Sequence, residues 1–201
     1  MKNDFLSPDN SSDIPLLKKK MRERMHFVKE GITEKEMIRQ SSAACSHLIK
    51  TTQWLNSGSV LLYCNINTEL NVNHLIENGL KNGKTIALPR YDNDRSQYVP
   101  CVIRSKNDLS IGRYGIMEPA SICKEIDMNH LDLAVIPGVA FDRLGGRLGR
   151  GGGYYDQILN NLRAISFGIC FQEQIVQRVP KEPHDIDMDA TITPDGKLDF
   201  N

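Results

Sequence analysis

The feature that most constrains this 201-residue chain is a set of short strands apolar along nearly their whole length. Ser59–Cys64 (SVLLYC), Thr85–Leu88 (TIAL), Leu133–Ile136 (LAVI) and Ile165–Phe171 (ISFGICF) are the clearest. A strand with one wetted face alternates apolar and polar residues, whereas a strand covered on both faces has no reason to. Segments of helical spacing stand between these runs: Val72, Leu75, Ile76 and Leu80 after the first, and Tyr154 to about Leu162 before the fourth. A shorter strand pair around Tyr98–Ile103 and a last strand at Ala190–Thr193 complete the series. Strand–helix–strand repetition with apolar strands predicts an α/β fold, a three-layer sandwich around a mostly parallel, Rossmann-like open sheet. Ligands of such sheets bind beyond the carboxyl ends of the strands, so the loops after Cys64, Leu88 and Ile136 are where chemistry is expected.

The amino-terminal third is helical in pattern. Residues 1–13 (MKNDFLSPDNSSD) are polar and read as a disordered tail, leaving 14–201 as one domain. Asp13 is placed to cap a helix that starts at Ile14-Pro15, carries Leu17, Met21, Met25 and Val28, and ends at Gly31. Thr33 with Glu36 three residues on predicts a capping box, and Ile32 with Met37 a hydrophobic staple, for a second helix running to Ile49.

Composition narrows the function. Lys plus Arg and Asp plus Glu both number 25, a net charge of zero. A nucleic-acid or anionic-membrane binder needs a basic surplus, so neither partner is expected. No stretch approaches the roughly 20 apolar residues of a membrane span, and the N-terminus carries no apolar leader block. The five cysteines, an odd number without a CxxC, read as reduced thiols, Cys64 and Cys170 as core residues, and point to the cytoplasm. No HExxH or Cys/His ligand spacing suggests structural zinc.

Six of the 15 glycines fall between 145 and 153, after the LAVI strand and before a helix. Backbone N–H groups there can converge on an anion at the positive end of the helix, and the guanidinium groups of Arg147 and Arg150 match phosphate oxygens. The pattern is neither GxxxxGK[ST] nor GxGxxG. Lys18 and Arg22, four apart on the first helix, form a basic face that spacing alone leaves as a solvated one. Asp156 in the first turn after the glycines and Asp189 in a late acidic stretch are carboxylates of the kind that hold magnesium, and each also has an ordinary reading, as a helix-terminus charge or a loop acid. Glu69 follows the first strand, and Arg90 closes the second. Tyr154 and Tyr155 either stack on a ligand or anchor the helix in the core.

Taken together, KKKMR at 18–22, NINTE at 65–69, LPR at 88–90, GIMEP at 115–119, IPGVAFD at 136–142 and RLGRGGGYYD at 147–156 resemble the 5-formyltetrahydrofolate cyclo-ligase family, in family order. The resemblance implies an ATP- and Mg2+-dependent closure of 5-formyltetrahydrofolate to 5,10-methenyltetrahydrofolate, with ADP and phosphate released, by a cytoplasmic monomer. By position it implies ATP contacts from Lys18, Arg22 and the loop Arg147, Leu148, Gly149, Arg150, Gly151, Gly152, Gly153, Tyr154 and Tyr155. Within that loop Arg150 would steady the transferring phosphoryl group and Tyr155 would face the formyl group. Folate would meet Asn65, Glu69, Glu118 and the segment Arg150–Tyr154, and Asp156 and Asp189 would hold magnesium. The alternative from another class is a non-catalytic nucleotide- or folate-binding protein on the same fold.

Overall fold

A computed structural model describes residues 13–200, and the tail expected at 1–13 falls almost wholly outside them. The first helix, α1 (Ile14–Glu30), begins with Pro15 in its first turn, where a missing N–H costs nothing. Asp13 stands at its N-cap position but makes no capping hydrogen bond, because its backbone is already helical and turns the side chain away from the first N–H groups. At α2 (Glu34–Ile49) only half of the expected box forms. The Thr33 hydroxyl accepts from Glu36 N, whereas the Glu36 carboxylate turns outward to Arg39 and Gln40. A short helix that the sequence reading left out, α3 (Thr52–Asn56), is capped by Thr51 and buries Trp54.

The strands are β1 (Ser59–Leu61), β2 (Thr85–Asp92), β3 (Gln97–Ile103), β4 (Leu109–Ile111), β5 (Met117–Pro119), β6 (Leu133–Ile136), β7 (Ala140–Asp142), β8 (Arg147–Leu148), β9 (Ile165–Ile169), β10 (Ile175–Val176), β11 (Ala190–Thr193) and β12 (Gly196–Asp199). Helices α4 (Asn73–Lys81) and α5 (Tyr154–Asn161) complete the elements used below. Seven strands form the central sheet in the order β12-β11-β9-β6-β1-β2-β3. The five inner strands are parallel, and β3 and β12 close the edges as antiparallel hairpin partners of β2 and β11.

Burial on both faces explains the apolar runs. Val60, Leu88 and Val135 point into one core with Leu48, Trp54, Leu75 and Ile76, from α2, α3 and α4. Their neighbours Leu61, Ala87 and Ile136 point into the other, with Ile158 and Leu159 of α5. The mixed α/β, mostly parallel architecture is thus as the sequence indicates. What the strand pattern did not indicate is the treatment of residues 138–148. After β6 the chain folds back as the β7–β8 hairpin, which joins β10 in a separate three-stranded sheet. The buried Asp142 carboxylate holds that hairpin by accepting from the N–H groups of Leu144, Gly146 and Val179. Phe141 then packs under Gly168 of β9. No helix among the described residues is long and apolar enough to cross a membrane.

Candidate active site

Beyond the carboxyl end of β1, and bounded by Pro89 of β2, opens a cleft of about 810 Å³. Its floor and one wall are residues 64–69, which leave β1, and its opposite side is the glycine segment that leaves β8. A smaller cavity of about 70 Å³ adjoins it, lined by Pro137, Arg147, Gly149 and the run Gly152–Asp156. Glu69, Arg150 and Tyr155 line both.

The glycine segment takes its shape from conformations that side chains resist. Gly151 (φ 98°) and Gly153 (φ 70°) lie in the left-handed region, and a Cβ on Gly151 would stand 3.4 Å from the Arg22 guanidinium carbon. Arg22 supports the loop from beneath by donating to Gly149 O at 2.8 Å. One turn earlier on α1, Lys18 is buried and reaches Glu182 (2.7 Å) and Asp185 (2.5 Å). Burial by itself would lower the Lys18 ammonium, but the hydrogen bonds and charge of these two acids outweigh it and hold the pKa above its ordinary value.

Arg147 is not a loop residue. It belongs to β8, its side chain is buried, and it pairs with Asp156 across the start of α5 while donating to Pro137 O at 3.2 Å. Burial pushes the guanidinium down, with Asp156 as the chief opposing influence. Leu148 is wholly in the core. Arg150 is the exposed cation of the segment. It crosses to the β1 loop, donating through Nε to Glu69 Oε1 and through Nη2 to Thr68 Oγ1, each at 3.0 Å. The second Glu69 oxygen accepts from Ile66 N, so the carboxylate is fixed against its own loop.

Tyr154 and Tyr155 separate in role. The Tyr154 ring meets Tyr98 edge-on at 4.9 Å, and Tyr98 meets Tyr91 in the same manner at 5.2 Å, an aromatic row of which Tyr98 and Tyr154 line the cleft. Tyr155 packs against both cores, and burial pushes its phenol well above the ordinary range. Asn65 and Glu118 also line the cleft. Glu118 is buried on β5; its Oε2 accepts from Tyr91 N at 3.0 Å, and its Oε1 has no hydrogen-bond partner among the described residues. A buried carboxylate oxygen without a donor is costly and invites a ligand N–H. Arg90, read only as a strand terminator, donates to the carbonyls of Ala120 and Cys123 and pins the chain that follows β5.

Asp189 is not brought to this site. It stands at the amino ends of β9 and β11, where its carboxylate accepts from Ser166 N (2.7 Å) and Ser166 Oγ (3.0 Å), opposite the end where α5 begins. The acid of that stretch that does face the α1 cations is Asp185. Sequence reasoning also passed over Tyr98, Thr68 and Lys29. The last stands at position i+11 from Lys18 on the stripe 18, 22, 25, 29, a helical periodicity that would have found it.

Comparison with known proteins bears on the family and the fold. The sequence profile of the 5-formyltetrahydrofolate cyclo-ligase family matches residues 16–194. The chain is 30% identical over 172 residues to the probable 5-formyltetrahydrofolate cyclo-ligase of Schizosaccharomyces pombe, covering 78% of this chain and 84% of that one. It is 26% identical over 178 residues to the mouse 5-formyltetrahydrofolate cyclo-ligase, covering 83% and 88%. Among solved structures, Aquifex aeolicus 5,10-methenyltetrahydrofolate synthetase superposes with a TM-score of 0.83 at 30% identity, over 92% of this chain and 93% of that one.

Proposed function

The chain belongs to the 5-formyltetrahydrofolate cyclo-ligase family, and from that premise we propose that it closes 5-formyltetrahydrofolate to 5,10-methenyltetrahydrofolate at the expense of ATP, releasing ADP and phosphate. The observation that carries the reading is the position of Arg150. Its guanidinium lies between an aromatic-lined cleft of about 810 Å³, roomy enough for a pterin and its aryl group, and the small glycine-lined cavity, in reach of both.

The reaction needs that juxtaposition. A formamide oxygen is a poor leaving group, so attack of nitrogen 10 on the formyl carbon stalls while the oxygen stays unmodified. The formyl oxygen attacks the γ-phosphorus and displaces ADP. Nitrogen 10 then bonds to the carbon and loses its proton, and the C–O bond breaks to release phosphate. Alignment of two ligands and stabilisation of phosphoryl charge are what the protein supplies. In our assignment Arg150 exchanges Glu69 for the phosphoryl oxygens, Glu69 and Glu118 accept from N–H groups of the pterin, and Tyr98 and Tyr154 flank its rings. Lys18, Arg22 and the N–H groups of 149–153 meet the triphosphate. Arg147 acts through Asp156 and the loop it underpins rather than by touching phosphate. Tyr155, its phenol buried and kept protonated, closes the pocket behind the formyl group.

Magnesium would neutralise phosphate charge and orient the triphosphate. Asp156, whose side chain is 36% exposed at the mouth of the small cavity, fits that task. Asp189 does not, because it stands at the other end of the sheet, where its Oδ2 is held by Ser166. Asp185, beside Lys18, is the second carboxylate on the correct side. The free state of all five cysteines accords with a cytoplasmic address, and we read the protein as a monomer acting on small molecules.

The decisive experiment mixes the protein with Mg-ATP and 5-formyltetrahydrofolate and follows the methenyl chromophore together with phosphate release. Product that depends on both ligands supports the reading; nucleotide binding without any folate-dependent phosphate release overturns it. Arg150→Ala should abolish turnover and leave the fold intact, since the exposed guanidinium supports no core contact, and near-wild-type turnover would refute its role.

A further inference from the structure

Resting on that reading and extending it, we infer that Lys29 is a positioning residue of this site: from α1 it clamps the loop after β1 so that Thr68 and Glu69 present themselves to Arg150. Lys29 is 7% exposed, and its ammonium donates to Thr68 O at 3.3 Å. Among the described residues no carboxylate lies within 4.0 Å of it, so a buried cation with three donors has one close acceptor. A position of this burial on this stripe would ordinarily be apolar, as Met25 is one turn away. A methionine there would pack as well and carry no desolvation cost, so packing does not account for the charge.

The surroundings do account for it. Lys29 senses two charges, the carboxylate of Glu69 and the guanidinium of Arg150, which are paired with each other at 3.0 Å. It attracts the first and repels the second. Burial foremost, and Arg150 after it, lower the ammonium below an ordinary lysine, with Glu69 opposing. An ammonium at this point therefore holds the Thr68 carbonyl and steadies the Glu69 charge, while loosening the grip of that charge on Arg150. The Arg150 side chain, 48% exposed, is thus left ready to leave Glu69 for charge that develops during transfer. The division of labour along α1 follows: Arg22 carries the glycine loop, and Lys29 carries the folate-side loop opposite it.

The test compares Lys29→Met and Lys29→Arg with the unaltered protein. Readouts are the Michaelis constants for each substrate, the turnover rate, the calorimetric dissociation constant for 5-formyltetrahydrofolate without nucleotide, and the melting temperature. Lys29→Met should weaken folate by roughly tenfold or more in both Kd and KM, lower kcat, and leave the ATP KM within about twofold, as expected for losing one charge-assisted hydrogen bond on the folate side. Its melting temperature should not fall, and Lys29→Arg should restore folate binding to within about threefold. Unchanged folate constants in Lys29→Met, equal weakening of both substrates, or failure of arginine to restore would each overturn the inference. If Lys29→Met does not fold, Lys29→Gln is judged by the same criteria. Absence of methenyl product from the unaltered protein counts against the reaction itself, whereas normal turnover there with normal constants in the variant removes Lys29 alone.

Discussion

Substituting Asp156 by asparagine perturbs the point where the fold and the site share one ion pair. Asp156 is the sole carboxylate partner of Arg147 among the described residues, and Arg147 has otherwise only the Pro137 carbonyl, with its Nε unpartnered. Asparagine keeps the size and removes the charge, so a guanidinium already destabilised by burial loses its main compensation. Breaking a fully buried pair costs about 3–5 kcal/mol. The Arg147 end is 2% exposed but the Asp156 end is 36% exposed, so water recovers part of the loss, and we expect about 2 kcal/mol. For a chain of this length that is a fall in melting temperature of roughly 4–8 °C. Differential scanning calorimetry of the protein without nucleotide or magnesium reads it directly, free of any metal effect. Replacing both residues, Arg147→Leu with Asp156→Leu, should cost less than either single change, a positive coupling in a double-mutant cycle. An Asp156→Asn protein melting within a degree of the unaltered one would show that the pair does not underpin the segment, and our account of Arg147 would fail with it.

Other expectations follow from the same geometry. Glu69→Ala should raise the KM for 5-formyltetrahydrofolate much more than that for ATP, because its carboxylate is fixed to the loop that floors the large cleft; equal shifts in a two-substrate titration would remove it from the folate side. Gly168→Ala should destabilise by about 1–3 kcal/mol in urea titration, since the added carbon would stand 2.4 Å from the Phe141 ring in a core with no room to yield, and an unchanged midpoint would refute that packing. Burial pushes the Cys64 and Cys101 thiols up to about 11 and Cys45 up to about 12, from an ordinary 9.0. These groups favour the protonated folded state, so their contribution is complete below pH 9 and is lost as pH rises toward 11. The urea midpoint should fall across that window, beyond any fall in a variant with the three cysteines replaced by serine or alanine, and equal slopes would count against it.

The layered α/β architecture was written in the chain because strand burial leaves a local mark. Residues covered on both faces must be apolar in succession, and VLLYC, IAL and LAVI are. The glycine segment was legible for a similar reason, since positive φ at Gly151 and Gly153 is a backbone demand that residue type records. Arg147 and Arg150 show where such marks stop. Both are arginines three apart in one motif, and only the β7–β8 hairpin, turned back by Asp142, buries the first beside Asp156 and leaves the second exposed to Glu69. Asp185 and Asp189 are likewise acids in one run, divided by contacts with Lys18 and Ser166 that lie 167 and 23 positions away in the chain. Which charge meets which is set by through-space distances after the layers have packed, and a sequence records charges without recording those distances.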